Sequence, residues 1–419
     1  MNYKRLKFAC YTSSVTMSIT CSLSPLLFIT FHSLYGVSYS LLGLLVLINF
    51  VTQLGIDLIF SFFSHKFNIE KTVKLIPILA TVGFWLYAFL PWLFPAQAYL
   101  GLAIGTVVFS ASSGFAEVLI SPVIASIPAE NPEREMSKLH SAFAWGDVGI
   151  VIFGTLFLLA FGQSAWQWLV LIFTAIPIVS AVAYAGVAIP KMQTGERASG
   201  TFSLLKNGGV WLCVIAIFLG GASECTMSQW ASGYLEQALG IPKVWGDIFG
   251  VAAFALTLGL GRTIYGTYGK NIEKCNFFGA LCAAVCYLIC ALVPVPIVGL
   301  LACAFTGFFV SMLWPGNLVV ATDRYPTGGV VVFALMAAGG DLGASVGPQL
   351  VGLITDGVAQ STFFCNLASA WGLTIEQLGM KAGMLIGSIF PIVCTLVCLV
   401  IWKGKRNNRT TADKENTNA

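Results

Sequence analysis

Asn68-Ile69-Glu70-Lys71 follows one long apolar run, and Asn271-Ile272-Glu273-Lys274 follows another at the matching place in the second half of the chain. The same offset carries Pro91, near the close of the next run, onto Pro294. A short echo at one topological position in each half points to a duplicated unit. Around each echo the chain is a succession of runs of roughly 20 mostly apolar residues, the length a helix needs to cross a bilayer. They read as 8–31, 38–63, 73–94, 99–126, 138–161 and 165–189, then 210–235, 246–268, 276–294, 296–322, 328–355 and 381–402. The expected fold is an all-α membrane protein with twelve transmembrane helices in two pseudo-symmetric six-helix bundles. Residues 1–189 form the first bundle, 190–209 a polar cytoplasmic linker, 210–402 the second bundle, and 403–419 a polar cytoplasmic tail expected to be disordered.

Composition agrees. The 419 residues are 57% hydrophobic and 10% charged, against about 25% charged in soluble domains. With the N-terminus in the cytoplasm, the 22 Lys and Arg fall in inside segments, except Lys243, Lys381 and Arg262. Under the positive-inside rule this places both termini in the cytoplasm of a multi-pass cell-membrane protein. The net charge of +4 therefore records cytoplasmic loops, and no nucleic-acid partner is expected. The 12 cysteines lie mostly within the apolar runs, with no CxxC pair and no Cys/His metal spacing. Neither a cofactor nor a metal is expected, and no nucleophile–base pair or phosphate loop speaks for an enzyme.

Ionisable residues inside the runs are the informative exceptions, because each costs roughly 2.5–3.5 kcal/mol to insert and usually faces a cavity or a partner. They are Asp57, Glu117, Asp147, Glu224, Arg262 and Asp341. Five acids cannot all pair with one base. Counting residues at about 1.5 Å each places Glu117, Glu224 and Asp341 near mid-bilayer. Asp147 and Arg262 fall at matching depth in the cytoplasmic half. For any one of them a structural helix-to-helix hydrogen bond is the competing explanation.

The stretch Ala116-Glu117-Val118-Leu119-Ile120-Ser121-Pro122 resembles helix 4 of the fucose permease family of sugar:proton symporters, within the major facilitator superfamily. Gly261-Arg262, Trp314-Pro315, Gly339-Gly340 with Gly347-Pro348, and Gly220-Gly221-Ala222-Ser223-Glu224 extend the likeness. The resemblance implies two parallel six-helix repeats around a central site, with Glu117 as the binding and protonation residue. It also implies that helices 5 and 8 face each other across the halves, so Asp147–Arg262 is a candidate gate pair on the cytoplasmic side. Asp57 is the rival partner, and pairing of Arg262 within its own half, to a helix-end carbonyl, is the competing reading. One departure stands out: helix 1 carries no carboxylate here, whereas the fucose permease uses one.

A sugar presents hydroxyls to acids and amides and an apolar ring face to aromatics. Trp145, Trp230 and Trp314 lie within helices 5, 7 and 10, and Gln229, Asn317 and Gln349 could add directional hydrogen bonds; packing or interfacial anchoring is the alternative for each Trp. Gly339, Gly343 and Gly347 recur at small-xxx-small spacing and suit close helix packing. Pro315 and Pro348 are expected to bend their helices and free carbonyls toward a cavity. The functional expectation is a monomeric secondary transporter for protons and a small sugar-like solute. An efflux antiporter for amphipathic or cationic compounds and a non-transporting solute sensor are the alternatives.

Overall fold

The computed structural model describes residues 3–63, 66–128, 132–190, 206–325 and 329–417. Among them the chain is helical throughout, with no strand. The first half contains α1 (Tyr3–Leu26), α2 (Phe28–Tyr35), α3 (Tyr39–Phe63), α4 (Ile69–Leu93), α5 (Ala98–Ala125), α6 (Pro132–Phe161), α7 (Trp166–Phe173) and α8 (Ala175–Tyr184). The second contains α9 (Gly208–Gln237), α10 (Lys243–Gly246), a π-helical turn over Asp247–Ala252, α11 (Ala253–Tyr268), α12 (Ile272–Leu292), α13 (Pro296–Val310) and α14 (Leu313–Arg324). These are followed by α15 (Gly329–Ala359), α16 (Thr362–Ala370), α17 (Ile375–Gly387) and α18 (Ile389–Thr417). Ten described segments are long and apolar enough to cross a bilayer, and the bent pair α1–α2 makes an eleventh. With the 31-residue α15, the order agrees with the expected twelve.

Several helices that the hydropathy pattern reads as single are broken, and proline explains where. Pro25 in α1 cannot donate to the carbonyl one turn back, at Cys21, and α1 and α2 meet at 45° just beyond it. Pro315 likewise frees the carbonyl of Ser311, where α13 gives way to α14. Pro348 behaves otherwise: α15 runs through it unbroken. The last helix, α18, runs from Ile389 to Thr417. Residues 191–205, most of the expected linker, lie outside the described residues.

The echoed tetrapeptide has a local meaning. Asn68 caps α4 and Asn271 caps α12, each side chain accepting the backbone N–H of the Lys three residues on, at 3.0 and 2.9 Å. The two copies therefore set the same start in each half. The glycine stripe of α15 lies against α9: Gly339 meets Val214 and Ile217, Gly343 meets Phe218, and Gly347 meets Ala222 and Thr226. A Cβ at Gly347 would stand 2.9 Å from the Ala222 carbonyl oxygen. Large apolar residues such as Leu93, Leu159, Val182, Leu396 and Val400 are exposed on the outside of the bundle, as lipid contact requires.

The helix order puts the starts of α1, α4 and α6 and the ends of α3, α11 and α14 on one face, which carries Lys4, Lys7, Lys71, Lys74, Lys270 and Lys274. It is called the basic face below. On the opposite face the two halves are bonded together. Asp356 of α15 accepts the backbone N–H groups of Tyr39 (3.1 Å) and Ser40 (2.7 Å) at the start of α3. Gly352 packs on Tyr39 and Gly43 on Pro348 and Gln349. Phe28 packs on Trp230, with ring centroids 5.1 Å apart.

Candidate functional site

A cavity of about 480 Å³ lies between the halves. The first half contributes Ser14, Ser22, Glu117, Ser121 and Asp147, and the second Glu224, Gln229, Asp247, Arg262, Trp314 and Asp341. Glu117 and Arg262 are exposed in it, and the polar contacts between the halves described above close it on the side away from the basic face.

Arg262 is held within its own half. Its Nη2 donates to both oxygens of Glu224, at 3.3 and 3.5 Å, and its Nε donates to the Ser311 carbonyl at 3.1 Å. That carbonyl is the one Pro315 cannot engage, so a proline in α14 fixes an arginine on α11. Asp147 accepts a hydrogen bond from Ser22 of α1. The two members of the candidate gate pair thus have separate partners in this conformation. Gln229 donates to the Cys21 carbonyl at 3.5 Å, the oxygen left free by Pro25. Both helix breaks therefore present acceptors to side chains of the cavity wall.

The remaining acids differ in their surroundings. Glu117 faces the cavity with no hydrogen bond to a described residue. Asp341 is buried, and its Oδ2 has no partner among the described residues. Asp247 is fully buried; its Oδ2 accepts the Thr155 hydroxyl at 2.6 Å and pairs with Lys243 at 3.1 Å. Trp314 lies against Gly221 and Gly340, which leave room for its indole between α9 and α15.

The structure brings together seven of the twelve residues singled out from sequence: Glu117, Asp147, Glu224, Gln229, Arg262, Trp314 and Asp341. Asp57, Trp145, Trp230, Asn317 and Gln349 do not line the cavity. Trp145 is 69% exposed. Trp230 is buried and donates from Nε1 to the Pro348 carbonyl at 2.8 Å, a packing role on the closed face. Asn317 is buried, lies 3.0 Å from Asn276, and donates to the Leu313 carbonyl. Gln349 and Asp57 are beside the α3–α15 and α3–α5 contacts, each with one oxygen lacking a partner among the described residues. Asp247 escaped the sequence reading because it falls at the very start of its apolar run. The Lys243–Asp247 spacing of four residues on one helix face was the available signal.

Outside the bilayer span, at the basic face, Glu135 lies ahead of the apolar stretch Ser141–Phe161 of α6. Hydrogen bonds from Lys138 and Lys7, at 2.8 and 2.9 Å, hold its carboxyl down to about 2, and Tyr11 also donates to it.

The structure is thus a helical bundle of membrane-spanning segments with an acid-rich cavity between two halves, bonded together on one face. A sequence model of the Major Facilitator Superfamily matches residues 8–348, and the chain belongs to that family. It is 24% identical over 261 residues to an uncharacterized MFS-type transporter of Yersinia pestis, a match covering 60% of this chain and 65% of the relative's length. Among solved structures it is similar to the nucleoside transporter NupG, with TM-score 0.73, 12% identity and 95% and 98% of the two chains covered. It is also similar to a D-xylose-proton symporter (TM-score 0.72, 14% identity, 93% and 97% covered). The fucose:proton symporter FucP of E. coli, the family whose motifs the sequence resembles, superposes with TM-score 0.59 at 15% identity, covering 94% and 98%. At these identities the likeness establishes the fold.

Proposed function

We propose that this chain is a proton-coupled symporter of a small neutral, sugar-like solute, working by alternating access in the plasma membrane with both termini in the cytoplasm. The observation that carries the reading is Glu117, a carboxylate in the cavity without a cationic or hydrogen-bonding partner among the described residues. As a carboxylate it accepts solute hydroxyls; protonated, it changes the affinity of the site and so links proton to solute. Asp341 on the other half offers a second such group. Residues 1–189 and 210–402 are the rocking units. The cavity of about 480 Å³ suits a single small solute, and the named neighbours transport xylose, fucose and nucleosides with a related architecture. Asp147 receives Arg262 when the basic face closes, Arg262 leaving Glu224 for the opposite half.

The test is uptake of labelled pentoses, hexoses and nucleosides into proteoliposomes under an imposed proton gradient, comparing wild type with Glu117→Gln. Gradient-driven accumulation that falls about tenfold or more in the variant supports the reading, since losing a charged hydrogen-bond partner costs about 1.5–3 kcal/mol. Equal uptake by both proteins at every pH would remove Glu117 from the mechanism. A second reading, export of amphipathic cations by antiport, is favoured by the excess of acids over Arg262 in the cavity wall. Proton-driven extrusion of a cationic dye, without sugar uptake, would select it.

A further inference from the structure

We propose that Thr155–Asp247–Lys243 is a latch that holds the face opposite the basic loops closed, with Asp356 on the start of α3 as its second clasp. The proposal rests on the alternating-access reading and assigns the residues that hold one of its two end states. Both clasps have the same design: a carboxylate of the second half reaches a donor of the first. Asp247 takes the Thr155 hydroxyl of α6, and Asp356 takes two backbone N–H groups in the first turn of α3, where no intrahelical acceptor exists for them. Charge-assisted bonds of this kind are the stronger class of hydrogen bond. One joins the π-helical turn after α10 to α6 and the other α15 to α3, so together they tie two separate pairs of segments across the interface.

The first clasp is also built to let go. Asp247 begins the π-helical turn Asp247–Ala252, a local widening that costs backbone geometry and is found mostly at functional positions. Its Oδ1 is buried without a partner among the described residues, so the closed arrangement leaves one acceptor unsatisfied. Lys243 is anchored within the second half by Ser232 at 2.8 Å. It stays with Asp247 if the halves separate, keeping the carboxylate paired while Thr155 departs. One hydroxyl is what crosses the interface, and the ion pair travels with its own half. Asp247 also lines the cavity, which puts the latch at the inner end of the closed side.

Hydrogen–deuterium exchange of the purified, detergent-solubilised full chain reads the latch without any solute. In Thr155→Val, exchange across residues 35–41, 158–166 and 239–247 is expected to rise about tenfold or more, the scale of one charge-assisted bond. Exchange at 66–72 and 268–276, on the basic face, is expected to fall as that side closes. Thr155→Ser, which keeps the hydroxyl, is expected to restore the wild-type pattern. Asp356→Asn, on the other clasp, is expected to move both faces in the same directions as Thr155→Val and gives the same readout if the valine variant does not fold. Unchanged exchange on the opposite face, an equal rise on both faces, or failure of serine to restore the pattern would overturn the latch. Because no solute is involved, absence of sugar uptake would defeat the proposed function and leave this result standing.

Discussion

The two faces of the bundle use polar contacts in contrasting ways. On the face opposite the basic loops, polar groups of one half bond to the other: Asp356 to Tyr39 and Ser40, Asp247 to Thr155. Toward the basic face each half bonds to itself. Lys7, Tyr11 and Lys138 converge on Glu135 in the first; Arg262 meets Glu224, and Arg324 lies 4.0 Å from Glu273, in the second. Charged groups in the second arrangement keep a partner when the halves part, so opening leaves no orphaned charge. The first arrangement must surrender bonds to open. Under the proposed alternating access, this difference is what a side held closed and a side free to move would need.

The comparison breaks first at Arg262. Arg262→Ala leaves Glu224 in the cavity wall with no cation, and uptake is expected to fall about tenfold or more. Arg262→Ala and Glu224→Gln combined should cost much less than the product of the single losses, because they remove one unit. Independent, multiplying effects in the uptake assay would show that the pair does not act within its half.

A smaller effect sharpens the basic face. Asn68→Ala and Asn271→Ala each remove a helix cap and are expected to lower stability by about 1 kcal/mol, by similar amounts in the two halves. Thermal denaturation of each variant checks this, and exchange on the opposite face should not move. An unequal pair would mean that the echoed starts no longer serve the same purpose.

The smallest effect expected is at Glu135. Its carboxyl is held at about 2 against an ordinary value of 4.5. A depressed acid stabilises the fold above its unfolded pKa, and that contribution is lost as pH falls from about 4.5 toward 2. Wild type should therefore be more stable than Glu135→Gln at pH 7, by about 1 kcal/mol or less for so solvated a cluster, and the gap should shrink as pH falls from about 4.5 toward 2 in thermal denaturation followed across pH. A gap that persists or widens in acid would assign the effect to shape rather than charge.

How much of this was legible beforehand depended on range. The echo at Asn68 and Asn271 was legible as a repeat, and the structure gives it a local meaning because a cap acts within three residues. Pro315 signalled a freed carbonyl, but that Arg262 would claim it depends on helices distant in sequence; Pro25, whose freed carbonyl Gln229 takes, was not singled out. Trp145 and Trp230 show the limit most plainly. Both sit in apolar runs, yet one is exposed and the other buried against Pro348, because the rotation of a helix about its axis is set by neighbours. Asp247 was overlooked since a residue at the edge of a run carries no hydropathic anomaly.

By itself the sequence determined the class, the short echo between the halves and that ionisable residues such as Glu117 and Arg262 stand within apolar runs. Those follow from the cost of apolar surface in water, from the cost of charge in lipid and from 1.5 Å of rise per residue. Only the tertiary structure decided which acids share a cavity, that Arg262 serves Glu224 here, and which face is bonded shut. Those outcomes depend on how helices rotate and pack against partners hundreds of residues away, where local pattern has no reach.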